Sequence, residues 1–68
     1  MRRLYLAEWR AIRGLSQVEA SGLAGIRQGT WSAAETGRVV PHILTLKAMS
    51  RALRAGGASN LYSNPKED

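Results

Sequence analysis

"GLSQVEASGLAGIRQGTWSAAETG" (residues 14–37) carries five glycines and still reads as helical. Ser16 and Glu19 stand three apart, the S-x-x-E spacing in which each side chain can satisfy a backbone N–H at the other's position. The spacing predicts a helix over 17–24, ended by Gly25, with Ile26 the apolar residue buried just past the turn. A third helix follows over 28–35, extending at most to Thr36, and Gly37 stops it. Arg27 stands where Ser or Thr normally caps a helix, so this start is poorly capped. On that helix Trp31, Ala34 and Glu35 share one side, and Gln28, Gly29, Ser32 and Ala33 share the other. One large residue faces inward and a small, polar set faces out. Two helices joined by a glycine turn make a helix-turn-helix arrangement.

Gly14, Gly25 and Gly37 punctuate helix ends. Gly22 and Gly29 lie inside helices, where each costs roughly 0.5–1 kcal/mol relative to alanine. Gly29 has two readings: close approach of its backbone to base edges or sugars, or a neutral exposed position. Gly22 is either neutral or packs tightly against the first helix.

Working outward, "LYLAEWRAIR" (residues 4–13) places Leu6 and Trp9 three apart with Tyr5 and Ile12 near the same stripe, an amphipathic helix of about three turns. After "RVVP", whose Pro41 prevents helix, a fourth helix is expected over 43–54, with Leu46, Met49 and Leu53 inward and Ile43 one turn earlier. "AGG" closes it, and "ASNLYS" forms at most a final turn that buries Leu61 and Tyr62. Trp9 and Trp31 are core residues in this reading, and His42 is a cap or loop residue. The expected architecture is all-α, a compact bundle of four to five short helices over residues 1–63, with 64–68 as a flexible tail. No repeat, strand alternation or low-complexity block is present.

The chain is 68 residues long, so it folds as one small domain that buries only about 60% of its unfolded surface. It has no cysteine, and its single histidine cannot assemble a metal site. No cofactor is expected. The acids are scattered with no base beside a hydroxyl at a recognisable spacing, so no catalysis is expected. "MRRLYLAEWRA" lacks the unbroken apolar run of a signal peptide, and no stretch is long enough to span a bilayer. Ten Lys and Arg oppose five Asp and Glu, a net charge of +5. Glu67 and Asp68 supply two of those acids, so the body before them is more basic still. That surplus fits a polyanionic partner, nucleic acid or an anionic membrane. Arg27 and Arg38 flank the third helix and would reach phosphates, with Thr30 and Thr36 as hydroxyl contacts. Lys47, Arg51 and Arg54 share one face of the fourth helix, read as a solvated stripe. Arg2 and Arg3 make a short basic arm.

"LAEWRAIRGLSQ", "LAGI", "ETGRVVP" and "LTLKAMSRAL" follow one another in an order and spacing that resemble the Xre/Cro family of lambda-repressor-like DNA-binding domains, across residues 4–54. The resemblance implies that helix two crosses the DNA backbone while helix three enters the major groove. It gives Gln17 a phosphate contact and a bracing role toward Gln28, and makes Gln28 the first base reader, suited to an adenine. Gly29, Ser32 and Ala33 match the other groove-facing positions. Arg10 and Glu35 match a partly buried ion pair between helices one and three.

The sequence also departs from that pattern. Arg27 replaces a capping Ser or Thr, and His42 replaces the small cap of helix four. Trp31 stands for an aliphatic while Ala20, Ala24 and Ala34 replace larger residues, a volume exchange. Ser21 stands in for alanine and must bond helix backbone. The segment after "AGG" matches poorly, which weakens the family's habit of dimerising there.

The expected function is a cytoplasmic, sequence-specific regulator of double-stranded DNA, a repressor of phage or bacterial type. It would act as a homodimer on a pseudo-palindromic operator whose half-sites lie about 34 Å apart. The alternative is a protein-binding helix-turn-helix module (antitoxin, anti-repressor or assembly subunit) that does not read DNA alone. Val18, Leu23 and Leu44, apolar where the family is charged, would then form its partner surface.

Overall fold

The structure is a computed structural model that describes residues 3–66. Four α-helices, α1 (Leu6–Arg13), α2 (Gln17–Ala24), α3 (Gln28–Glu35) and α4 (Ile43–Leu53), precede a 3-10 turn at Ala58–Tyr62, and the described residues contain no strand.

Local chemistry sets most of the boundaries. Gly14 and Gly25 end α1 and α2 at φ +68° and +72°, the left-handed region that a Cβ disfavours. The Ser16 hydroxyl accepts the Glu19 N–H at 3.0 Å while Glu19 Oε1 accepts the Ser16 N–H at 2.9 Å, which completes the capping box. Those bonds hold the Glu19 carboxyl below its ordinary range, the backbone bond at Ser16 contributing most. Arg27 makes no side-chain cap, so α3 begins with its first N–H groups unmet by a capping side chain. His42 caps α4 through Nδ1, which accepts the Leu44 N–H at 3.2 Å. Ser21, buried in α2, donates its hydroxyl to Val18 O at 3.1 Å.

The core gathers Leu6, Ala20, Trp31, Ala34, Leu46, Met49, Leu53, Ala55 and Leu61, with Trp9, Leu15, Ala24 and Ile26 packed against it. Trp31 is the largest fully buried side chain, in a core that also holds the small residues Ala20, Ala34 and Ala55.

Four expectations need correction. The first helix begins at Leu6 rather than Leu4: Tyr5 is its N-cap at φ −102°, ψ 43°, outside the helical region, and its N–H bonds Leu61 O at 2.8 Å. Arg54 is the left-handed cap of α4 at φ +53° and not its last turn. Ile12 and Ile43 are 43% and 50% exposed, since no neighbouring element reaches the flank of such short helices. A Cβ on Gly22 would meet nothing within 4 Å, so tight packing against α1 is excluded there.

The chain past α4 is tied back to α1. Trp9 Nε1 donates to Asn60 O and Ser63 O, both at 3.2 Å. Arg13 donates to Leu53 O at 2.7 Å and Arg54 O at 2.9 Å, covering carbonyls at the end of α4. Asn60 Nδ2 donates to Ala55 O at 2.7 Å. Of the expected tail, Glu67 and Asp68 lie outside the described residues, as does Arg2 of the expected basic arm.

Candidate nucleic-acid interface

The helix-turn-helix is built on one carboxylate. Glu35, at the end of α3, has a side chain only 8% exposed and takes donors from three residues. Arg10 of α1 donates through Nε and Nη2, Gln17 of α2 through Nε2 at 2.9 Å, and the Trp31 indole through Nε1. Burial pushes the Glu35 carboxyl up, but these hydrogen bonds and the Arg10 charge outweigh it, so the net shift is downward. The bond to Glu35 raises the Arg10 guanidinium despite its partial burial. Arg10 Nη1 also reaches Leu15 O at 3.0 Å, in the link between α1 and α2. Three helices therefore converge on a single charged centre.

That centre extends to the surface. With Gln17 Nε2 held by Glu35, its Oε1 accepts from Gln28 Nε2 at 3.4 Å. Gln28 is the first residue of α3 and is exposed, as are Gly29 and Thr30. Ser32 and Ala33 are half-buried on the same helix, while Trp31 and Ala34 are buried beneath it. A Cβ on Gly29 would meet nothing within 4 Å, so the space above it is open within this chain.

Arg27 and Arg38 are exposed at the two ends of α3 and form no ion pair among the described residues. The Arg38 N–H donates to Ala33 O at 2.9 Å, which folds the start of the α3–α4 loop back onto α3. The Thr36 hydroxyl donates its one proton to Ser32 O at 3.1 Å and Ala33 O at 3.3 Å, so it meets phosphate only after giving up those bonds. Arg3 is engaged elsewhere, paired with Glu8 at 2.6 Å and lying 4.3 Å from the Tyr5 ring centroid.

The remaining singled-out residues are dispersed. Val18, Leu23 and Leu44 are 62%, 65% and 68% exposed, but the hollow that Leu23 lines includes neither of the other two. No group of three His, Asp or Glu side chains is placed to hold a metal among the described residues. No helix there is long and apolar enough to cross a membrane. Sequence reasoning missed the Trp31 indole N–H as a Glu35 donor, the Gln17–Glu35 bond and the Arg13 cap of α4. The i to i+4 spacing of Trp31 and Glu35 was the available signal for the first.

Residues 3–59 match the family model of the helix-turn-helix domain, and the chain belongs to that family of DNA-binding domains. A search of curated proteins finds no match.

Proposed function

We infer that this chain is a sequence-specific regulator of double-stranded DNA, of the Xre/Cro type, working in the cytoplasm as a repressor of phage or bacterial kind. Helix α3 enters the major groove. Gln28 reads an adenine through its amide, while Gly29, Ser32 and Ala33 lie along the base edges. Arg27 and Arg38 pair with phosphates on either side. Gln17, Thr30, Thr36 and the unfilled N–H groups at the start of α3 add shorter-range contacts.

The observation that carries this reading is the route from the core to Gln28. Its amide lies 3.4 Å from Gln17 Oε1, a long and exposed hydrogen bond, and Gln17 is bonded to Glu35 at 2.9 Å, so the reading group is biased toward one orientation. One copy offers only one long polar reader. Specific binding therefore needs two copies on a two-fold operator, assembled as a homodimer on DNA.

Selection of bound sites from random duplexes tests this directly and should return a two-fold consensus. Gln28→Ala should relax preference at one base pair per half-site by about 1–3 kcal/mol. Arg38→Ala should weaken all sequences alike and reduce the salt slope by about one. Absence of duplex binding at low salt would refute the reading. A second reading, a protein-binding module that does not read DNA alone, draws on the exposure of Val18, Leu23 and Leu44. It predicts no base preference, only the weak salt-dependent duplex binding that a chain of net charge +5 shows with any sequence.

A further inference from the structure

Lys47 and Arg51, one turn apart on α4, and Arg54, its left-handed cap, form no ion pair among the described residues and line one hollow together. The end of that helix does not need them. Its carbonyls already accept from Arg13, and the Arg54 and Ala55 N–H groups bond Arg51 O and Ser50 O. The three charges are therefore free for a partner.

They border two adjoining hollows that share Arg51 and Arg54, and no residue of α3 lines either. One, of about 290 Å³, runs from Lys47 to the Gly56–Gly57 backbone. The other, of about 360 Å³, is lined by the apolar Leu15, Leu23 and Ala52 together with Arg13, Arg51 and Arg54. Leu23 is 65% exposed there, an apolar side chain left uncovered among cations. A phosphate backbone has no use for an apolar lining. An aliphatic or aromatic side chain flanked by carboxylates would use both parts of the site.

We propose that this face of α2 and α4 docks an acidic polypeptide segment with an apolar anchor. Leu15, Leu23 and Ala52 receive the anchor, and Arg51 and Arg54 pair with the flanking carboxylates. Docking here leaves α3 free, so it neither requires DNA reading nor competes with it.

The test follows backbone amide resonances of the full chain at physiological salt. The probes are a peptide with one phenylalanine among glutamates, the same peptide with serine in its place, and a DNA duplex. The phenylalanine peptide should shift the amides of Leu23, Arg51, Ala52 and Arg54 saturably, and about tenfold more tightly than the serine control, which corresponds to 1.4 kcal/mol. Arg51→Gln and Leu23→Ser should each weaken it several-fold and leave duplex affinity within about twofold. Both sites are exposed, and circular dichroism confirms that the variants fold. Equal binding of the two peptides would reduce the face to bulk charge and overturn the proposal. So would a lack of saturation, or a duplex that moves these amides most.

Discussion

Replacing Glu35 with glutamine should cost this domain a large share of its stability. The carboxylate holds Arg10, Gln17 and Trp31 together, and its side chain is 8% exposed against 20% for Arg10. Breaking a buried pair by removing one partner costs about 3–5 kcal/mol, because the other charge stays buried. Water reaching Arg10 reduces that figure. Glutamine retains one acceptor oxygen but turns an NH2 toward the Arg10 donors, so a loss of about 2–3 kcal/mol is expected. A chain of this length has a total of roughly 3–10 kcal/mol. The midpoint of thermal unfolding should fall by about 10–20 °C. Arg10→Met also loses the bond to Leu15 O, a cost unrelated to Glu35. A double-mutant cycle of Arg10→Met with Glu35→Gln removes that term and should leave a coupling of about 2 kcal/mol. Urea unfolding followed by far-ultraviolet circular dichroism is the suitable assay, since Trp31 fluorescence would respond to the loss of its own bond. A coupling below about 0.5 kcal/mol, as for an exposed pair, would refute the claim that three helices depend on this centre.

Gly22→Ala and Gly29→Ala should each stabilise the domain by about 0.5–1 kcal/mol in chemical denaturation, because both sites are helical and open. Operator binding separates them: Gly22→Ala should leave affinity unchanged, and Gly29→Ala should reduce it several-fold if α3 presses its backbone against the bases. Stability should hold above the ordinary carboxyl value of 4.5 and decline as pH falls below it, since the depressed Glu35 and Glu19 carboxyls must take up protons that the unfolded chain binds more readily. Unfolding curves across that range should show a visibly shallower acid slope for Glu35→Gln.

What the sequence made legible was the chemistry that acts within a few residues. The glycines at 14 and 25 set the ends of α1 and α2, and the capping box at Ser16 and Glu19 sets the start of α2, each from residues a few positions apart. The misjudged boundaries sit where a distant partner intervenes. Tyr5, the N-cap of α1, bonds Leu61 O, fifty-six positions away by number, and no local pattern announces that bond. Periodicity placed Ile12 and Ile43 near the apolar stripes but could not say that nothing would arrive to cover them. The site divides in the same way. The candidate positions Gln28 and Gln17 came from resemblance, whereas the bonds that join them to the core pass through Glu35, an acid whose partners lie on three helices.

Trp31 explains how so sparsely decorated a helix is held in place. Helix α3 has eight residues, an uncapped start and an outer face of Gly29, Ser32 and Ala33, so its own propensity gives it little hold on one position. Its inner face supplies the hold: a fully buried indole whose N–H is bonded to Glu35 one turn later. Ala20 and Ala34 share its core, and Arg10 and Gln17 hold the carboxylate that accepts its N–H. Gln28 stands one turn before Trp31 on the same helix. If α3 reads bases as proposed, substitutions at 20, 31 or 34 that shift the helix should lower operator affinity more than affinity for unrelated duplex, which binding assays on variants that still fold would check.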